Sequence, residues 1–143
     1  MRNEESQSVK YKKEDDKPEQ IVTPQEAIFA ARAELDSIIV PEHVEKYMVD
    51  LVFATRYPQR YTYELKSFIR EGVSPRASIG LDKCIRAHAW LNGQKEAGID
   101  NVYAMIKSVF RHRIIRGDRA IEHSITTDDI VDEIIELVPV PKV

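Results

Sequence analysis

Apolar side chains recur at intervals of three and four residues through several long segments, and this spacing restricts the fold more than any other feature. In the segment 41–56 the repeating set is Val44, Tyr47, Met48, Leu51, Val52 and Thr55. One face of an α-helix brings such a set together. Only 5 glycines occur in 143 residues, and β-like runs are confined to 37–40 and 137–140. The sequence therefore predicts an all-α fold, a compact bundle of about five helices.

Capping and stop signals set the bounds of the predicted helices. Thr23-Pro24-Gln25-Glu26 supplies a capping residue, a proline at the first helical position and a glutamate at the third, which together form a capping box. The final helix begins at Thr126 or Thr127, with carboxylates in its first turn. The five predicted helices cover residues 23–36, 41–56, 75–92, 100–114 and 126–138. Residues 59–71 suit one or two short helical turns.

Length and charge suit one domain with its own core. Residues 1–20 are mostly charged or polar, and we expect a disordered lead-in there, followed by the domain at 21–143. The net charge of −3 argues against nucleic-acid binding. No apolar stretch approaches the ~20 residues that span a bilayer, so no membrane insertion is expected. The single cysteine, Cys84, and the lack of a secretory leader fit the cytoplasm.

No residue cluster in the sequence indicates bond-making chemistry. No serine or cysteine stands in a nucleophile elbow, and neither GxxxxGK[ST] nor GxGxxG occurs. The histidines lack metal-ligand spacing, so no metal site is expected; they are His43, His88, His112 and His123. His88 and Cys84 lie on the inner stripe of the third helix and are interpreted as structural. The isolated chain is therefore expected to be inactive as an enzyme.

The heptapeptide 72–78 carries the strongest functional signal. Ser74 can cap a helix, and Pro75 suits its first position. Arg76 then lies in the first turn, where the positive end of the helix dipole disfavours a cation unless an anion is near. A phosphate group would suit both free backbone N–H groups and the guanidinium. The alternative is an ordinary surface arginine that follows a well-made cap.

Two further surfaces are candidate partner contacts. One face of the third helix, which we call the Trp90 face, is predicted to dock on another domain because small residues allow close approach and a tryptophan can anchor it. Its members are Arg76, Gly80, Lys83, Ala87 and Trp90. The second is the cationic pair Arg111 and Arg113, near a helix C-terminus. The alternatives are an ordinary exposed helix face and a pair of cations placed by the helix dipole.

Taken in order, several stretches of the chain resemble the C-terminal lid domain of the MoxR-type AAA+ ATPases. The resemblance extends from about residue 21 to residue 141. It rests on Val22-Thr23-Pro24-Gln25-Glu26, Tyr47-Met48-Val49-Asp50-Leu51-Val52-Phe53-Ala54-Thr55-Arg56, Gly72-Val73-Ser74-Pro75-Arg76-Ala77-Ser78, Phe110-Arg111-His112-Arg113-Ile114 and Val138-Pro139-Val140-Pro141. The chain departs from the family after the third helix, where Gln94 replaces an arginine and Ile99 replaces a proline.

The resemblance implies a function that the residues alone do not. It makes Arg76 the sensor-2 arginine, which reaches the γ-phosphate of ATP, with Ser74 and Pro75 beside it. It places ATP and magnesium mainly on an N-terminal α/β domain that is missing here. It also implies a homo-oligomeric ring, a hexamer, that remodels client proteins like a chaperone. The alternative function is a free-standing helical protein-interaction module with no nucleotide role.

Overall fold

A computed structural model describes residues 24–143. These residues contain seven α-helices, one 3₁₀ turn and a pair of short strands. In chain order they are α1 (Pro24–Asp36), α2 (Glu42–Arg56), the 3₁₀ turn (Pro58–Arg60), α3 (Tyr63–Phe68), β1 (Ile69–Glu71), α4 (Ala77–Leu91), α5 (Ile99–Phe110), β2 (Ile115–Arg116), α6 (Asp118–Glu122) and α7 (Thr127–Leu137). The all-α prediction is confirmed.

Helix α1 forms as predicted between residue 24 and residue 36. Its predicted cap, Thr23, and the predicted lead-in 1–20 lie outside the described residues. None of the residues of α1 is buried, and Ile28 is 52 % exposed. The predicted stripe of Ile28, Ala31 and Leu35 is therefore not a buried face in this structure.

The core lies within residues 35–143 and is built from the faces that the helical spacing predicted. All six members of the predicted α2 stripe are buried. In α4 the buried positions are Ala77, Leu81, Ile85 and Ala89, while Cys84 and His88 are only partly buried. The buried faces of α5 and α7 complete the core with Asn101, Val102, Ile106, Val109, Phe110, Ile130, Val131 and Ile134.

Two short strands, which the sequence did not predict, join distant parts of this body. β1 pairs antiparallel with β2, with Ile69 opposite Arg116. The backbone N–H of Gly117 donates to the carbonyl of Phe68 at 2.8 Å. A Cβ at position 117 would lie 2.6 Å from the carbonyl oxygen of Ser67, so glycine permits this close approach. The strands therefore bring the end of α3 next to the start of α6.

Three other helix assignments differ from the prediction. α4 begins at Ala77 instead of residue 75, because a tighter turn precedes it. α5 ends at Phe110 instead of residue 114, so Arg113 lies in the following turn and is exposed. α6 was not predicted, since its five residues carry too little periodicity to identify a helix.

The segment before α2 is attached to the loop between α4 and α5. Ile39 forms an isolated parallel bridge with Glu96. Its N–H donates to the carbonyl of Lys95 at 3.0 Å, and its carbonyl accepts from the N–H of Ala97 at 2.8 Å. The guanidinium of Arg86 also donates to the carbonyl of the neighbouring Ile38. Residues 38 and 39 are thus held both by α4 and by the loop that follows it.

Within residues 24–143, every helix is too short or too polar to cross a bilayer.

Candidate functional site

The residues 74–76 form a single tight turn that leads into α4. The Ala77 N–H donates to the Ser74 carbonyl at 2.8 Å, which closes a 3₁₀-type turn. The Ser74 hydroxyl accepts from the Arg76 N–H at 3.3 Å. Ser74 therefore stabilises this turn, and Pro75 fixes one backbone angle within it. Ser74 was predicted to cap the helix itself, but Arg76, which was expected in the first helical turn, occupies the N-cap position of α4 and no side chain caps the helix.

The backbone N–H groups of this turn are not free, contrary to the expectation from the sequence. Besides those of Arg76 and Ala77, the Ser78 N–H donates to the Pro75 carbonyl at 3.3 Å. The Ile79 N–H donates to the Arg76 carbonyl at 3.1 Å. An anion at this helix start would therefore meet the guanidinium of Arg76 instead of a set of open N–H groups. Nucleotide contact by Ser74 and Pro75 stays a prediction.

The side chain of Arg76 is exposed. Among residues 24–143 no hydrogen bond or ion pair occupies its guanidinium. Other arginines of the same body are engaged: Arg86 pairs with Asp82 at 2.9 Å, and Arg116 donates to the Ile125 carbonyl at 3.0 Å. Arg76 is thus a cation at the positive end of a helix dipole, without a hydrogen-bond or ion-pair partner for its guanidinium in the described part of the chain.

The segment just before this turn is tightly held by the end of α2. The Val73 N–H donates to the Thr55 hydroxyl at 3.1 Å, and the Val73 carbonyl accepts from Arg56 Nη1 at 3.1 Å. Gly72 lies so close that a Cβ would come within 2.2 Å of the Thr55 carbonyl oxygen. Only a residue without a side chain fits there.

Two open clefts are lined in part by residues of this turn and its flanks. One has a volume of about 390 Å³ and is lined by Arg56, Arg70, Glu71, Gly72 and Ser74. The other has a volume of about 240 Å³ and is mainly apolar, with Val49, Phe53, Tyr57 and Pro75 among its lining residues. Ser74, Pro75 and Ser78, which flank Arg76 in sequence, therefore line open surface.

Four of the five members of the Trp90 face lie on α4, Arg76 lies just before the helix begins, and all five are at least partly exposed. A Cβ at Gly80 would meet nothing within 4 Å, and Trp90 is 37 % exposed. The face is therefore open enough for another surface to approach. Its docking role stays a prediction.

The second candidate surface, Arg111 and Arg113, has contacts within this body. Arg111 makes two hydrogen bonds to the Asp128 carboxylate, at 3.0 Å and 2.9 Å. These bonds are the main reason that the pKa of Asp128 lies below its usual range. Arg113 donates to the Val109 carbonyl near the end of α5, where the helix dipole favours a cation. Both placements have a local explanation, and a partner contact stays a prediction.

One polar cluster beside α4 was missed from the sequence. Asn101 is 2 % exposed, and its side-chain oxygen accepts from the Gly98 N–H at 2.7 Å. Its amide nitrogen lies 2.9 Å from His88 Nδ1 and 2.9 Å from Gln94 Oε1. Gln94, where the family pattern has an arginine, thus helps to hold the loop after α4. The signal was an asparagine three residues after a glycine at a helix start, which is capping spacing.

Comparison with known proteins agrees with the resemblance seen in the sequence. The AAA lid domain family matches residues 65–134, which include the turn at Arg76 and α4. The Chaperone MoxR1 of Mycobacterium tuberculosis is 32 % identical over 98 residues, or 68 % of this chain. The chain is a lid domain of the MoxR type in the AAA+ family. The YeaC protein of Bacillus subtilis is 29 % identical to this MoxR-type lid over 123 residues, or 86 % of the chain.

A solved structure supports the same assignment. A crystal structure of a candidate ATPase from Cytophaga hutchinsonii matches with a TM-score of 0.73 and 33 % identity. The match covers 78 % of this MoxR-type lid and 34 % of the Cytophaga chain. The chain also spans only 26 % of the length of MoxR1 and 36 % of that of YeaC. The relatives are therefore much longer than the lid described here.

Proposed function

We propose that this MoxR-type lid closes over ATP bound to an N-terminal AAA+ domain of the same protein, and that Arg76 contacts the γ-phosphate as the sensor-2 residue. The observation that carries the proposal is the exposed guanidinium of Arg76, which has no partner among residues 24–143 and extends from a firmly held turn. In the lid family match, this turn lies inside the matched residues.

The chemistry of Arg76 fits a terminal phosphate. A guanidinium presents paired donors that match two phosphate oxygens, and it stays charged at any physiological pH. ATP would supply the anion that the helix start lacks. Arg76 would bind and orient that anion and offset its negative charge. The serine and proline before it would act by shaping the turn.

The described residues do not fit the magnesium ion. Within residues 24–143 no group of three or more histidine, cysteine, aspartate or glutamate side chains is arranged to hold a metal. We therefore assign magnesium to the N-terminal domain, together with the rest of the hydrolytic machinery. This division of roles agrees with the share of MoxR1 and YeaC that lies outside the matched region.

We further propose that the lid passes the nucleotide state to neighbouring subunits and to a client protein. The Trp90 face would dock on the N-terminal domain, and the full-length protein would form a homo-oligomeric ring, a hexamer, in the cytoplasm. MoxR1, which is 32 % identical, is described as a chaperone. Loss of the phosphate contact at Arg76 would then change how the lid sits on its neighbour.

The test is ATP turnover by the ATPase that carries this lid. Arg76→Ala is expected to lower kcat by about 10²-fold, the loss typical for removing one donor to a developing charge. As a control, Arg119→Ala removes an exposed arginine of α6 whose guanidinium lies 6.0 Å from the centre of the Phe68 ring, and it should leave turnover unchanged. Circular dichroism should show both variants folded. A folded Arg76→Ala variant with wild-type turnover would refute the sensor role.

A further inference from the structure

The end of α2 holds the segment that carries Arg76, and this contact has a functional meaning. We propose that Thr55 and Arg56 are positioning residues that aim the guanidinium of Arg76 at its phosphate. The inference rests on the proposed function of Arg76. According to this inference, the function of Arg76 also depends on two residues of α2 that lie about twenty positions earlier in the chain.

Thr55 contributes a buried hydroxyl that makes two hydrogen bonds. The residue is fully buried. Its Oγ1 donates to the Val52 carbonyl at 2.8 Å and accepts from the Val73 N–H at 3.1 Å. The first bond fixes the direction of the O–H on α2, so the acceptor lone pairs of the oxygen also have a fixed orientation. The second bond uses one of these lone pairs to hold the Val73 N–H.

Arg56 holds the other backbone polar atom of Val73, its carbonyl oxygen. Its Nη1 donates to the Val73 carbonyl at 3.1 Å, and the Val73 side chain is fully buried. Consecutive residues of α2 therefore bind the N–H and the carbonyl of a single residue in the following loop. With both polar atoms held and the side chain packed, Val73 cannot rotate or shift without losing these contacts.

The fixed position of Val73 is passed to Arg76 through a short and stiff connection. Only Ser74 and Pro75 lie between them. Pro75 has a locked φ angle, and the Ser74 hydroxyl binds the Arg76 N–H at 3.3 Å. Few backbone rotations remain free along this path. Movement of Val73 relative to α2 would consequently move the Cα of Arg76.

Small displacements of a charged contact are costly for catalysis. A misplacement of about 1 Å can lower a rate by about 10²-fold. Thr55→Val keeps the shape of the side chain and removes the hydroxyl, and Arg56→Met keeps the aliphatic stem and removes the donor. We expect each to lower kcat for ATP by about 10- to 100-fold. Thr55→Ser keeps the hydroxyl and Arg56→Lys keeps a donor, so these two variants should retain most of the turnover.

The deciding experiment is a double-mutant cycle in the ATPase that carries this lid. Thr55→Val and Arg56→Met are each measured with Arg76 present and in an Arg76→Ala background. If they act through Arg76, each lowers kcat only when Arg76 is present. Arg56 is exposed, so Arg56→Met tests the inference even if Thr55→Val fails to fold.

The outcomes separate the inference from the proposed function. Equal losses of kcat in both backgrounds would mean that the two residues act independently of Arg76 and would overturn the inference. Unchanged kcat in both variants with Arg76 present would overturn it as well. If Arg76→Ala alone lowers turnover in either of these cases, the proposed function survives. If Arg76→Ala has no effect, the proposed function fails and the inference fails with it.

Discussion

Replacement of Gly72 by alanine tests the close approach between α2 and the loop that carries Arg76. The added Cβ would lie 2.2 Å from the carbonyl oxygen of Thr55 and 2.8 Å from the backbone nitrogen of Arg56. Ordinary contact needs about 3.5 Å, so the loop must move by about 1 Å. The obstacle is the backbone of a single peptide group, Thr55–Arg56, so no side-chain rotation relieves it. We therefore expect the substitution to destabilise the lid.

The size of the effect follows from the contacts that the shift would break. Overpacking of this kind costs about 1–3 kcal/mol. Moving the loop also weakens two hydrogen bonds to Val73, each about 1 kcal/mol. A total of about 3 kcal/mol is expected, and at roughly 4 °C per kcal/mol for a domain of this size the Tm should fall by about 12 °C.

The assay is thermal unfolding of the chain, followed by circular dichroism, with a second glycine as the matched control. At Gly80 a Cβ would meet nothing within 4 Å, and the residue lies inside α4. Alanine is favoured over glycine there by about 1 kcal/mol, so Gly80→Ala should raise the Tm. A Gly72→Ala variant that is as stable as the parent would refute the argument from close approach.

Two further predictions concern α7. Thr126 Oγ1 accepts from the Asp129 N–H at 3.0 Å, so Thr126→Ala should lower the free energy of unfolding in urea by about 1 kcal/mol, whereas Thr126→Ser should not. Burial raises the pKa of Glu133, with Glu64 and Glu136 adding to the shift. The ionised form of Glu133 therefore lowers the free energy of unfolding. This loss is complete when the pH is above the pKa of Glu133 in the folded state, and it disappears when the pH falls below the ordinary pKa of a glutamate. Glu133→Gln should raise the Tm at pH 7 and leave it unchanged at pH 3; an equal rise at both values would contradict this reasoning.

Long helices could be predicted from the sequence because their apolar spacing repeats over several turns. α2 shows this best, since every residue of its predicted stripe is buried and its bounds agree within one residue. The start of α7 at Thr126 or Thr127 was also predicted, because a threonine followed by carboxylates in the first helical turn is a local pattern. In these cases the information lies within a dozen neighbouring residues.

The strand pair and α6 could not be predicted for the opposite reason. β1 has three residues and β2 has two, too few to show alternation. Their pairing depends on Gly117 reaching the carbonyl of Phe68, some fifty positions earlier. Contacts of this kind are set by the tertiary fold, and no local sequence pattern predicts them.

The candidate site divides along the same line. The local pattern at Ser74 predicted a helix cap; its hydroxyl does bind the Arg76 N–H, but in a turn that precedes α4. Thr55 was identified only as a member of an apolar stripe, because its bond to Val73 joins residues 18 positions apart. Asn101 was overlooked because its bonds to His88 and Gln94 join α5 to α4 and to the loop after α4, although its capping bond to Gly98 follows a local spacing.

The bridge at Ile39 determines where a mechanical load would enter this lid. The strap of residues 38 and 39 is bonded to Arg86, Lys95 and Ala97. Tension on the polypeptide upstream of residue 38 would therefore be transmitted to the α4–α5 loop before it reached α2. A force is transmitted efficiently only through a stiff connection, and these hydrogen bonds connect residues 38 and 39 firmly to α4 and the loop after it.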